Sequence, residues 1–184
     1  MSGLHFRHAI VVGGSGMLAG CCRKLLTISD KVSVMARRED RVRSIAPQIV
    51  PIVCDYDDMG ALTSALAGQV PDLLVVWIHQ SKPELRRLLA ACLTPGGRFV
   101  QVVGSGHGDP ARADRVAEKR SVVAGLPVSG QIVVLGFIVE NFGSRWLTDA
   151  EISDGIFAAI EGGDPFTIIG AATPVSLTPP FADG

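Results

Sequence analysis

The chain has 184 residues, 47% of them hydrophobic, which fits one folded domain with a sizeable core and excludes wholesale disorder. The formal net charge is −1 and aromatics are only 5%, so nothing points to a nucleic-acid surface or an anionic membrane. No apolar run reaches the roughly 20 residues of a membrane span.

The four cysteines, Cys21, Cys22, Cys54 and Cys92, contain no CxxC pair, so no metal site is expected and reduced thiols are. Residues 1–8 carry no signal-peptide core, and a cytoplasmic protein is expected. His5 and His8 read as terminal surface residues.

Apolar runs alternate with helical segments along the chain. Residues 9–12 read as a strand, followed by a glycine turn and a helix to about residue 28. Strands are expected at 32–35, 49–54, 73–78, 98–103 and 131–139, with a short last one at 166–169. Helices are expected at 39–45, 57–66, 83–92, 111–123 and 149–160. Strands that are apolar on both faces and separated by helices imply a parallel sheet covered on both sides. The expected fold is therefore α/β, a Rossmann-type doubly wound parallel sheet in a single domain over residues 1–170, with an irregular tail at 171–184.

Several helix starts carry their own signals. Ser81-Lys82-Pro83-Glu84 and Thr148-Asp149-Ala150-Glu151 read as capping boxes, and Leu147 can staple onto Ile152. Asp109-Pro110 places a cap residue before a first-turn proline.

Ile10-Val11-Val12-Gly13-Gly14-Ser15-Gly16-Met17-Leu18-Ala19 ends a strand and opens a helix. Gly14, Gly16 and Ala19 fit G-x-G-x-x-(G/A), whereas Gly13, Gly16 and Ala19 fit G-x-x-G-x-x-(G/A). Both registers suit a dinucleotide. Glycine permits the tight turn and the backbone's approach to a pyrophosphate, and the helix start offers N–H groups to it. The cofactor contacts expected here are Gly13, Gly14, Ser15, Gly16 and Met17.

The second strand bears on the choice of dinucleotide. An acid about 20 positions after the glycines would hold the ribose 2′-hydroxyl of NAD. Here Val34-Met35-Ala36 is followed by Arg37 and Arg38, which suit a 2′-phosphate in forked geometry, so NADP(H) is the expected cofactor. The other use of residues 37–43 is a solvated helix face.

These residues together resemble the short-chain dehydrogenase/reductase superfamily. The loop from Val12 to Ala19 is similar to the glycine loop of its extended and atypical branches, and Met35-Ala36-Arg37 to their NADP-type second strand. Val53-Cys54-Asp55 resembles the strand end whose acid, here Asp55, contacts the adenine ring. Val102-Val103-Gly104-Ser105 resembles the fifth strand end with its active-site serine. Arg145-Trp146-Leu147-Thr148 is similar to a segment of small bacterial short-chain dehydrogenase-like proteins. The resemblance spans roughly residues 8–160.

One departure is large. The superfamily protonates its carbonyl from the tyrosine of a YxxxK pair. The single tyrosine, Tyr56, follows the third strand, and Gly60 stands four positions later. Lys119 is preceded four positions earlier by Arg115 and reads as a solvated helix residue.

A site in such a sheet forms beyond the carboxyl ends of the strands. His79 and Ser105 are the candidate catalytic residues, with His107 a weaker one. Glu140, Asn141, Arg145 and Trp146 are candidates for a lid over an acidic or amide-bearing substrate. The alternative is that Arg145 pairs with Glu140 on the surface and Trp146 packs under the last helix. An NADPH-dependent reductase of a small carbonyl or imine is expected. The alternatives are an NADP(H) sensor and a non-redox isomerase or lyase on the same scaffold. The expected partner is a small-molecule substrate, with homo-oligomer formation open.

Overall fold

The computed structural model describes residues 3–78, 83–105, 113–140 and 143–173. Seven strands form one parallel sheet: β1 (Phe6–Val12), β2 (Ser29–Ala36), β3 (Val50–Val53), β4 (Leu73–Trp77), β5 (Arg98–Gly104), β6 (Ser129–Leu135) and β9 (Phe166–Ile169). Their order is β3-β2-β1-β4-β5-β6-β9. The chain winds outward from β1 to β3, then returns to β4 on the other side of β1. The β1–β4 junction is thus the point where strand order reverses, and a crevice opens beyond the strand ends there.

The helices are α1 (Ala19–Leu25), α2 (Glu39–Arg43), α3 (Met59–Leu66), α4 (Pro83–Ala91), α5 (Ala113–Ser121) and α6 (Asp149–Gly162). Strand alternation feeds two cores. Ala9 and Val11 of β1 face one layer with Leu25, Val42 and Ile156, whereas Ile10 and Val12 face the other with Leu62, Leu85 and Leu89. Both faces are covered, which is why the central strands read as unbroken apolar runs.

Polar strand residues tie helix ends to the sheet. Gln101 Nε2 donates to the Lys119 carbonyl at 2.7 Å, and Gln131 Nε2 to that of Ala159 at 2.7 Å. The Asp72 carboxylate accepts the amides of Arg7 and His8, each at 2.9 Å, which anchors the start of β1 to β4.

Three expectations need correction. His8 is not a surface residue. It lies within β1, only 7% exposed, with Nε2 2.9 Å from the Ser33 hydroxyl. Lys119 is 5% exposed rather than solvated, and its Nζ pairs with Glu118 at 3.1 Å. The sixth strand does not run to residue 139. It stops at Leu135, and the Gly136 that follows lies so close to the Ala171 and Ile169 carbonyls that no Cβ would fit there. The chain then turns into an antiparallel hairpin, β7 (Phe137–Glu140) with β8 (Gly143–Trp146). Smaller differences lie at element ends. Helix α1 ends at Leu25 rather than near residue 28, and β2 begins at Ser29.

Ser81, Asp109 and Pro110 lie outside the described residues. The box at α6 is present: Thr148 Oγ1 accepts from the Glu151 amide, and the Thr148 amide donates to Glu151 Oε2 at 2.8 Å. Leu147 and Ile152 are both buried in the same cluster.

Candidate functional site

A cleft of about 340 Å³ opens beside the β1–β4 junction, lined by Gly13, Ser15, Gly16, Met17, Ala36, Arg37, Tyr56 and Trp77. Four elements build it. The loop after β1 lines it, Ala36 ends β2 with Arg37 next to it, Tyr56 follows β3, and Trp77 closes β4.

The three glycines of the loop serve different ends. Gly13 has φ +78°, and a Cβ there would overlap the Trp77 carbonyl oxygen. A Cβ on Gly14 would meet Val11 Cγ1 at 2.8 Å and Cys22 Sγ at 3.0 Å. Both are therefore required by the protein itself. Gly16 has no positive φ, and a Cβ there would find no atom within 4 Å. Its lack of a side chain relieves no contact within the protein and leaves the backbone open to the cleft. Of the glycines in the two registers, Gly13 and Gly16 line the cleft, while Gly14 is buried against α1.

The two arginines after β2 part company. Arg38 forks onto Asp40, with Nε 3.1 Å from Oδ1 and Nη2 2.5 Å from Oδ2. That hydrogen bond raises the Arg38 pKa and lowers that of Asp40. Arg37 lines the cleft and makes no ion pair or side-chain hydrogen bond among the described residues. Asp55 is exposed and spends Oδ1 on the Asp57 amide at 3.1 Å, in the turn that leads to the Asp58 cap of α3.

Ser105 follows the end of β5, half-buried. Trp77 is in register with Val102, so Ser105 stands past the level of Trp77 on the neighbouring strand. His79, His107 and Asn141 lie outside the described residues.

Glu140, Arg145 and Trp146 lie on the hairpin. Arg145 Nε donates to Glu140 at 2.6 Å, and its two Nη groups clasp Glu151 at 2.9 Å each. The Arg145 contact, with the Thr148 amide and hydroxyl, holds the Glu151 carboxyl down at about 2. Trp146 does not pack under the last helix. It is 65% exposed and stacks on Phe137 with ring centroids 4.5 Å apart.

Trp77 and Tyr56 are lining residues that the sequence reading did not assign to cofactor or substrate. An aromatic closing a central strand beside the glycine loop was the available signal for Trp77. The thiols are poor candidates for chemistry. Burial pushes Cys21 up to about 12 and Cys92 to about 11, and raises Cys22 and Cys54 as well.

No protein-family model matches the chain. No curated protein matches it either. Solved structures do. A short-chain dehydrogenase from Burkholderia cenocepacia, in complex with NADP, superposes with TM-score 0.66 at 17% identity, covering 92% of this chain and 90% of that one. A metagenomic short-chain oxidoreductase in complex with NADP gives 0.68 at 16% identity, covering 91% and 98%. A short-chain dehydrogenase/reductase from Serratia marcescens gives 0.70 at 15% identity, covering 92% and 99%. The chain has the Rossmann-type α/β fold that these structures share. Within that fold the cleft sits at the strand-order reversal, on the β2–β3 side of the crevice. No helix among the described residues is long and apolar enough to cross a membrane.

Proposed function

We propose that the cleft binds NADP(H) and that the chain is an oxidoreductase acting on a small carbonyl or imine. The observation that carries this reading is the pairing of Gly16 with Arg37. A side chain at Gly16 would fill space that no protein atom uses, and Arg37 brings a guanidinium without a counter-charge among the described residues to the same cleft. An anionic ligand whose phosphates approach backbone at one end and a fork of N–H donors at the other fits both. The 2′-phosphate belongs on Arg37, and the pyrophosphate over residues 13–17. The two NADP complexes among the similar folds support the same choice.

Bound NADPH supplies a hydride to the substrate carbon. The chain must then supply a proton to the oxygen or nitrogen, and orient that atom. In this reading Ser105 beyond β5 orients the substrate, and His79, two positions after Trp77 ends β4, holds the proton. Arg37 and the loop bind and orient the cofactor. Asp55 meets the adenine edge, and Glu140, Arg145 and Trp146 of the hairpin border the substrate together with Asn141.

A second reading, an NADP(H) sensor or a non-redox isomerase or lyase, is favoured by one observation. Tyr56 lines the cleft on the β3 side, and β2, β1 and β4 separate it from β5 and Ser105. Stopped-flow NADPH oxidation against small aldehydes, ketones and cyclic imines separates the two. The oxidoreductase reading expects turnover with at least one class, lowered about 10²–10⁴-fold in His79→Ala and little changed in Tyr56→Phe. Tight NADPH binding with no oxidation by any panel member would favour the second reading.

A further inference from the structure

Helix α6 reaches the glycine loop from the far end of the chain. Ser153 Oγ donates to the Met17 carbonyl at 2.9 Å, across 136 residues. Ser153 is 1% exposed, so no water competes for that hydroxyl from outside. The approach is built into α1 as well. A Cβ on Gly20 would come within 2.8 Å of both Ser153 Cβ and Oγ, so only glycine admits the serine. One turn further along, Lys24 pairs with Asp154 at 2.8 Å and lies over the Phe157 ring at 5.6 Å. Met17 itself lines the cleft, one residue after the open Gly16.

The geometry points to Ser153 as a positioning residue that holds the glycine loop, through the Met17 carbonyl, in the conformation that receives a pyrophosphate. The inference rests on the NADP(H) reading for the ligand, but the hold on the loop is a property of the free protein. Between Gly16 and α1 the loop is closed by one turn bond, from the Ala19 amide to the Gly16 carbonyl at 2.9 Å, and Ser153 adds a tertiary fixed point inside that turn at Met17. Without it the loop must be ordered when the ligand arrives, which weakens binding.

The test uses Ser153→Ala and, independently, Gly20→Ala, which keeps the hydroxyl but drives α6 away from the loop. Two readouts apply. Amide hydrogen exchange in the free protein reports the loop. Calorimetric titration with NADPH and with adenosine 2′-monophosphate, which carries the 2′-phosphate and no 5′-phosphate, reports the two ends of the cleft. Both variants should speed exchange over residues 14–18. Both should weaken NADPH about 3- to 10-fold, the worth of one neutral hydrogen bond, and leave the 2′-monophosphate within about 2-fold. Unchanged loop exchange, or equal weakening of both ligands, would overturn the assignment. If the wild type binds neither ligand, the NADP(H) reading falls, and loop exchange alone decides whether Ser153 holds the loop.

Discussion

Gly13 lies under the carbonyl oxygen of Trp77, so close that a methyl group could not stand between them. This contact joins the end of β1 to the end of β4 at the strand-order reversal. It also separates two roles that a glycine motif merges. Gly13→Ala should destabilise the fold by about 1–3 kcal/mol, through both the left-handed φ and the clash. Gly16→Val should leave thermal unfolding within a few degrees of wild type and abolish dinucleotide binding. Calorimetric unfolding and titration of both variants check the contrast. A Gly16→Val protein that binds NADPH as well as wild type would mean the phosphates lie elsewhere.

The arginines offer a second contrast. Arg38 is committed to Asp40, whereas Arg37 faces the cleft. Arg37→Ala should cost NADPH binding about 1.5–3 kcal/mol, one charge-assisted hydrogen bond or a fork of two. Arg38→Ala should change affinity less than about 3-fold. A larger loss for Arg38 than for Arg37 would show that the forked pair swaps partners on binding.

Acid sensitivity falls in two windows. Burial, with Lys31 nearby, brings the His8 imidazole from 6.5 to about 4, against the pull of Asp72. The folded state therefore binds that proton less readily than the unfolded chain. His8 contributes stability that is fully present above pH 6.5 and is lost as pH falls toward 4. Glu151 is held at about 2 against an ordinary 4.5, so its contribution is present above pH 4.5 and is lost as pH falls toward 2. Denaturant melts from pH 8 to 3 should show a shallower decline between 6.5 and 4 for His8→Gln than for wild type. Parallel declines would place the acid sensitivity on other groups.

The α6 cap is separable from the site. Thr148→Ala removes the hydroxyl that receives the Glu151 amide and should cost about 1 kcal/mol of stability. NADPH affinity should stay within about 2-fold, because the change leaves Ser153 and its bond to Met17 in place. Thermal melts and titration of one sample check both halves.

Much of the architecture was legible because parallel strands covered on both faces write continuous apolar runs, as in Leu73–Trp77. The capping box at Thr148 was legible for a similar reason, since it is wholly local. What escaped depends on distant neighbours. His8 looks terminal by position, but Asp72 and Ser33 draw it into the sheet. Phe137 to Trp146 reads as a strand and a loop. The close packing of Gly136 on residues 169 and 171, which precedes the hairpin, involves neighbours more than 30 positions away. Lys119 carries a helix-surface sequence, yet the packing of α5 against the sheet covers it. In the site, glycine spacing located the cleft but could not tell which glycine the protein needs and which it leaves open. Nor could it show that Asp40 takes one arginine and spares the other.

The most direct measurement is calorimetric titration of the wild-type protein with NADPH and with NADH in the same buffer. The account predicts saturable NADPH binding, tighter than NADH by at least about 10-fold, the equivalent of one charge-assisted hydrogen bond. Equal affinity for the two, or no binding of either, would contradict it.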